Sequence, residues 1–368
     1  MAHTAGPILP KFDEEEDVKP KIAPDSLDNL PQYHRRQAEL DRENAKWNPQ
    51  TVIALAYRNN VSVVKMKDQT ALIQSILHKS IEIGFGFMVF GLPETRRLPT
   101  YQNVSAVTPP MSSESLSHIA YLALLEAADR LGYGGPLNIL ERLREGETST
   151  YKRPLTDLVA DRLKKRRTTM KQSIASHIRQ LVPFPISKTT ELLTFSQRGN
   201  YTFPRKPDGK YNYKKPFAVK VIWNAVSFAF FDGEGAITPS DAVLKYFVSS
   251  DPNVPREREV PAEMVAMAST MLHGILQEHV STHGSLPYTS ATDSIYRGHI
   301  QILTRLRLNE PKFYHTLMHQ IFCYATTEYE AWSQLLRAHD EMMDQVDWDN
   351  MASDPGSKCG DENEEQGN

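Results

Sequence analysis

Two histidine pairs late in the chain have residue types and a spacing that could bind a metal ion. His279 and His283 are four residues apart, as are His315 and His319, and Cys323 follows four residues later. On a helix each set lies along one face, and imidazole and thiolate are preferred zinc ligands. The chain has 12 histidines, however, so such pairs also arise by chance. A metal-assisted helical enzyme is therefore the third of three hypotheses for this sequence.

Other catalytic patterns are missing from the sequence. Gly233 and Gly235 do not form GxGxxG, the first histidine pair does not form HExxH, and neither GxSxG nor a P-loop occurs. We predict a protein that acts by binding rather than by catalysis, with no cofactor.

Phosphate binding is the better-supported chemistry, because the charge is strongly segregated. Residues 151–220 contain 17 lysines and arginines against four acids, whereas residues 339–368 contain ten acids against one lysine. A basic middle with an acidic tail is typical of proteins that meet nucleic acids. The residues predicted to face nucleic acid or phosphate are Lys164, Lys165, Arg166, Arg167, Lys171, Arg205, Lys206, Lys210, Tyr211, Tyr213, Lys214 and Lys215.

The basic quartet at residues 164–167 lies within a helix predicted over residues 155–182. At about 100° per residue, Arg166 falls inside the apolar stripe of that helix and Arg167 on its edge, while the two lysines lie outside it. Three interpretations stay open: a solvated helix face, a nuclear-import or phosphate-contacting segment, and an internal ion pair made by Arg166.

Residues 200–215 are predicted to form a hairpin, because Pro207-Asp208-Gly209 separates two runs of alternating aromatic residues. Lysines and arginines alternate with these aromatics. Such a mixture suits a nucleic-acid surface, although aromatic residues are equally what a hairpin needs to dock on a core.

The elements that must position these residues are mainly helical. Apolar residues recur at helical spacing, and runs 51–57 and 61–64 are β-branched segments to which the pattern assigns no type. The predicted fold class is mainly α, a multi-helical protein with one small β-hairpin, a disordered N-terminus and an acidic C-terminal tail. Helices are predicted at residues 68–81, 113–131, 155–182, 187–195, 217–231, 261–283, 292–308, 311–325 and 327–343.

The organisation predicted from composition has four parts. Residues 1–31 form a disordered tail rich in proline and acids, 32–147 an N-terminal helical region, 148–345 a helical domain, and 346–368 an acidic disordered tail. Residues 1–17 lack the basic start and apolar region of a signal peptide, and no apolar run is long enough for a bilayer, so we expect neither a signal peptide nor a membrane span. With only two cysteines, we expect an intracellular protein without a membrane partner, nuclear rather than cytoplasmic.

The second half of the chain resembles a domain family of unknown function that is abundant in mushroom-forming fungi. The resemblance rests on KPFAVKVIWNAVSFAFF, VPAEMVAMASTMLHGILQEHVSTHG, IYRGHIQILTRL and residues 310–321, in that order. It implies a mainly helical domain over roughly residues 150–330 and carries no catalytic residue or cofactor. Members of that family often look like parts of multicopy or mobile-element-associated genes, which favours a nuclear location.

The leading hypothesis is a non-enzymatic helical interaction protein whose residues 151–220 face DNA or RNA. The alternative is a protein–protein scaffold, in which the basic face meets an acidic protein partner or the acidic tail of the same chain.

Overall fold

A computed structural model describes residues 40–58, 61–91, 109–132, 139–232, 237, 244–280 and 288–326. The predicted tails at 1–31 and 346–368, and the predicted helix at 327–343, lie outside these residues. The chain divides into two compact units, residues 1–52 and 53–368. In the first unit a helical turn at 40–44 precedes a short 3-10 helix, Pro49–Thr51, which the side chain of Asn48 caps.

The second unit is mainly helical, which confirms the predicted fold class. Among the described residues its strands are β1 (Leu55–Arg58) and β2 (Val61–Val64). Its helices are α1 (Ala71–Phe90), α2 (Ser113–Arg130), α3 (Ile139–Glu145), α4 (Arg153–Ser176), α5 (Ile178–Leu181), α6 (Thr189–Ser196), α7 (Lys220–Phe230), α8 (Ala262–Val280), α9 (Ser290–Asn309) and α10 (residues 311–326).

Hydroxyl side chains begin several of these helices. The Thr70 hydroxyl accepts a bond from the N–H of Ile73 at the start of α1, and the Ser112 hydroxyl accepts one from Ser115 in α2. Thr289 and Thr292 form a reciprocal capping box at α9. Each cap satisfies backbone donors that a helix start otherwise leaves unpaired.

Helix α8 lies at the centre of the core. Residues 264–272 are buried without interruption, so the helix is covered on every side rather than along one stripe. It packs against α1, α4, α6, α7 and α9. The boundary predicted between residues 147 and 148 falls inside this core, because α1 and α2 from before it pack on α4 from after it.

The two-stranded sheet lies in the β-branched runs near residue 60. β1 and β2 pair antiparallel, with Leu55 opposite Val64 and Arg58 opposite Val61. The hairpin predicted at 200–215 contributes a single antiparallel bridge, between Arg205 and Tyr211. Among the described residues, the small sheet is therefore formed by a different segment from the one the turn sequence indicated.

Several helix boundaries differ from the predictions. Helix α1 runs from Ala71 to Phe90, whereas the predicted helix covered residues 68–81. The long helix ends at Ser176 rather than Val182, because His177 leaves the helical conformation and its ring stacks on Phe228. Helix α7 begins at Lys220 rather than Phe217, because Phe217 has a φ of 61°, which no helical residue can adopt.

Candidate nucleic-acid interface

The basic quartet of α4 separates into three exposed residues and one buried one. Lys164, Lys165 and Arg166 are exposed, whereas only 1% of Arg167 is accessible. The structure corrects the helical-phase interpretation: the buried arginine is Arg167, not Arg166. Arg167 stands one turn from both Leu163 and Met170, in the middle of the buried column of α4, and the ring of Phe85 covers the Arg166 guanidinium at 4.6 Å.

Arg167 bonds to backbone rather than to a nucleic acid. Its Nη1 donates to the carbonyl oxygens of Pro110, at 3.1 Å, and Met111, and its guanidinium lies 4.0 Å from the centre of the Tyr288 ring. Burial lowers the pKa of Arg167, and Tyr288 and Asp293 act in the opposite direction. A buried guanidinium with these partners holds the protein together, so Arg167 is not part of the surface that we discuss below.

Lys171 is also engaged inside the protein. Its Nζ makes an ion pair with Glu278 of α8, and both side chains are largely covered. The same Nζ lies 5.3 Å from the Tyr288 ring centre. Of the predicted cations on α4, Lys164, Lys165 and Arg166 are therefore exposed without an ion-pair partner among the described residues, and of these three Arg166 has the Phe85 ring over its guanidinium.

The remaining predicted residues lie on residues 203–215, which we call the basic hairpin. The N–H of Gly209 donates to the carbonyl of Lys206, Lys206 N–H donates to the Lys210 carbonyl, and Gly209 has a φ of 81°. This is a type I turn followed by a left-handed glycine, the usual three-residue hairpin loop. The Asp208 carboxylate accepts the Lys210 N–H at 3.0 Å, so this acid stabilises the turn.

The base of the basic hairpin is fastened to the core on both sides. Before it, the hydroxyl of the fully buried Tyr201 lies 3.0 Å from Nε2 of His299 in α9. After it, the N–H of Phe217 donates to the Thr202 carbonyl at 2.6 Å, and the Phe217 carbonyl accepts from Trp223 Nε1. These bonds hold Phe217 in its left-handed conformation, which is strained for a phenylalanine.

The tip and flank of the basic hairpin are cationic and aromatic. The exposed cations are Arg205, Lys206, Lys210, Lys214 and Lys215. Tyr213 is 61% exposed, yet its hydroxyl donates to Asn200 Oδ1 at 3.1 Å and its ring packs edge-to-face on Phe203. Tyr211 receives a bond from the Arg205 guanidinium at 3.1 Å. The segment thus presents an oriented aromatic ring among cations.

Those of the predicted metal ligands that the structure describes do not assemble into a site. His315 lies between two carboxylates, with Nδ1 2.7 Å from Glu259 and Nε2 2.8 Å from Glu257. His319 lies 2.8 Å from the carbonyl of Arg258 through Nδ1 and 3.5 Å from Cys323 Sγ through Nε2.

His279 is exposed on α8, and His283 lies outside the described residues. No group of three or more potential ligands could hold a metal ion within the described part of the chain.

Sequence reasoning missed the residues that organise this region, namely Asp293, Glu257, Glu259, His299 and Phe217. Asp293 bonds to Met111, 182 positions earlier, and His299 bonds to Tyr201, 98 positions earlier. No local pattern carries such pairings. The only sign in the sequence that Asp293 and His299 are buried is that they lie on the apolar side of α9. That side buries Tyr296, Ile300 and Leu303.

Within the described residues, none of the helices combines the length and the apolar character needed to cross a membrane. A family model with the description "Domain of unknown function (DUF6532)" matches residues 104–306, more than half of the chain. Comparison with curated proteins and with solved structures found no match.

Proposed function

The chain belongs to the family described as Domain of unknown function (DUF6532), and we propose that its basic hairpin, residues 203–215, binds single-stranded nucleic acid. The observation that carries this proposal is Tyr213, an exposed ring that is held by its hydroxyl in a segment with five exposed cations. The family assignment neither supports nor opposes nucleic-acid binding.

The cations of the hairpin favour a polyanionic partner. Arg205, Lys206, Lys210, Lys214 and Lys215 form no ion pair with a carboxylate among the described residues. The one acid of the segment, Asp208, accepts a bond within the turn. Lysines that neutralise phosphates release condensed counterions, which makes binding favourable and dependent on salt.

The aromatic ring favours a single strand over a duplex. Bases in a duplex are stacked on one another, whereas a single strand can place a base against an exposed ring. Because the Tyr213 hydroxyl is bonded to Asn200 and its ring contacts Phe203, little side-chain freedom is lost when a base stacks on it.

The experiment is a salt titration of oligonucleotide binding. Full-length protein is titrated into fluorescein-labelled oligothymidylate and oligouridylate, and anisotropy is followed between about 50 and 200 mM salt. In a variant with Lys206, Lys210, Lys214 and Lys215 each changed to Gln, we expect the slope of log affinity against log salt to fall by about 0.7 per lysine.

A matched variant tests whether binding depends on this surface or only on the total positive charge of the protein. Arg305 and Lys312 are exposed cations outside the hairpin. The variant Arg305→Gln with Lys312→Gln should change the slope of log affinity against log salt by no more than about 0.7, the effect of one phosphate contact. Wild-type protein that shows no salt-sensitive binding to either oligonucleotide would end the proposal. Binding of only an acidic protein, with no oligonucleotide binding, would favour the scaffold alternative.

The nuclear location remains a prediction from charge and resemblance. The import interpretation of residues 164–167 is weakened by the burial of Arg167, since an import receptor needs the quartet accessible. A fluorescent fusion of the whole chain, compared with one carrying Lys164→Gln and Lys165→Gln, tests it directly.

A further inference from the structure

An open trough runs between α2 and α4 and ends at β2, and no residue of the basic hairpin lines it. Its larger part has a volume of about 580 Å³ and its smaller part about 470 Å³. Ser117 of α2 and Asp157 of α4 line both parts, so the two lie side by side. Ser113, Ser117 and Tyr121 follow one another at four-residue intervals along its α2 wall.

The β2 end of the trough is bordered by the edge of a strand. Ser62, Val63 and Val64 all line it, although successive side chains of a strand point to opposite faces. Three consecutive lining residues therefore indicate that backbone borders the trough. Among the described residues the sheet has two strands, so the side of β2 that faces away from β1 is a free edge.

The register determines which backbone groups of β2 are directed outward. Arg58 pairs with Val61 across a two-residue loop, which makes them a hydrogen-bonded pair. Bonded and non-bonded pairs alternate along an antiparallel ladder, so the N–H and C=O groups of Ser62 and Val64 point away from β1. Such groups are a template for an added strand.

The charges beside this edge favour an acidic occupant. Arg162, Lys164 and Lys165 line the trough, and the two lysines are exposed without a carboxylate partner in the described part of the chain. Of the acids that line it, Asp157 is already 3.6 Å from Arg153. Among the described lining residues, Asp161 is then the acid left to oppose three cations.

We propose that the trough binds an extended peptide of another protein, which adds to the free edge of β2 and directs acidic side chains to Lys164 and Lys165. Strand addition supplies main-chain hydrogen bonds, and alternate side chains of the peptide face the trough. This site is separate from the basic hairpin and does not rest on the nucleic-acid proposal.

The probe is a fluorescein-labelled peptide of alternating valine and glutamate, titrated into full-length protein. Anisotropy measures its affinity, and amide hydrogen exchange measures protection of Ser62 and Val64. We expect saturable binding together with slower exchange at those two amides. A purely electrostatic contact would not slow their exchange.

Two variants test the two parts of the site. Lys164→Glu with Lys165→Glu should weaken the peptide at least about tenfold, while Arg305→Glu with Lys312→Glu serves as the matched charge reversal and should leave affinity unchanged. Ser62→Pro removes one outward N–H and should abolish the protection, whereas Ser62→Ala keeps that group and should bind normally. The charge reversal keeps the proposal testable if Ser62→Pro does not fold.

Several outcomes would overturn this proposal. Unchanged exchange at Ser62 and Val64 in the saturated complex would exclude strand addition. Oligothymidylate could displace the peptide from the wild type but not from the Lys164/Lys165 variant. That result would assign the two lysines to nucleic acid instead. Peptide binding that appears only after removal of residues 340–368 would make the acidic tail of this chain the occupant.

Discussion

Arg167 and Asp293 bind the same short piece of backbone, Arg167 through its carbonyl oxygens and Asp293 through its N–H groups. Arg167 of α4 donates to the carbonyls of Pro110 and Met111, and Asp293 of α9 accepts the N–H groups of Met111, at 3.2 Å, and Ser112, at 2.9 Å. Asp293 also accepts from the Ser115 hydroxyl in α2. The two charged side chains therefore link the start of α2 to α4 and to α9. They do so through this backbone segment and need no direct ion pair with each other.

Removing either member should destabilise the fold, because buried backbone groups lose charged partners. For Arg167→Met we expect a loss of about 1–3 kcal/mol in the free energy of unfolding, measured by urea denaturation. The neighbouring Arg166→Met is the control, since Arg166 is exposed and its change should stay within about 0.5 kcal/mol.

Because both residues hold one segment, their effects should not add. Asp293→Asn alone should cost about 1–3 kcal/mol, and the double variant should cost measurably less than the sum of the two single variants. Additive losses would show that Arg167 and Asp293 stabilise the segment independently.

Tyr213 should contribute to nucleic-acid affinity through its ring. Tyr213→Leu should weaken oligothymidylate binding by about 1–3 kcal/mol, the usual contribution of one stacked base. Tyr213→Phe keeps the ring and loses only the bond to Asn200, so most of the affinity should remain. Equal losses in the two variants would mean that the hydroxyl, not stacking, is what matters.

His299 should make the protein sensitive to acid. Burial, and secondarily His273, lower the pKa of His299 from 6.5 to about 3 in the folded state. Between these two values the unfolded chain binds a proton that the folded chain does not. Stability should therefore fall as pH drops from about 6.5 towards 3, by up to about 1.4 kcal/mol per pH unit from this group.

The comparison for this prediction is His299→Gln, which cannot take up the proton. Its free energy of unfolding should change less steeply with pH over the same interval than that of the wild type. An identical slope in both proteins would assign the acid sensitivity to other groups.

His315 should have the opposite pH dependence. Burial opposes its charged form, but the hydrogen bonds that its ring donates to Glu259 and Glu257, together with the charges of these carboxylates, outweigh burial and raise its pKa above 6.5. The folded state then holds the proton more tightly than the unfolded one. Its contribution is complete below pH 6.5 and is lost as pH rises through the folded-state pKa. In His315→Gln, measured by thermal unfolding across this range, that decline should be absent.

Much of the helical architecture could be predicted from the sequence, because it depends on local pattern. Apolar residues at helical spacing located α2 and α8, and the Pro207-Asp208-Gly209 turn was readable from residues that lie next to one another. The exposure of Lys164 and Lys165 also followed from helical phase alone.

What the sequence could not indicate is which element covers which face. Helical phase placed Arg166 in the apolar stripe, but the Met111 carbonyl and the Tyr288 ring come from distant segments, and their contacts with Arg167 make it the buried one. In the same way, the trough beside β2 exists only because α4 packs against that strand and α2 supplies the other wall. The sequence alone determined the helices and the distribution of charge, since both depend on near neighbours; the tertiary structure decided which charges stay accessible, since burial depends on contacts between residues far apart in the chain.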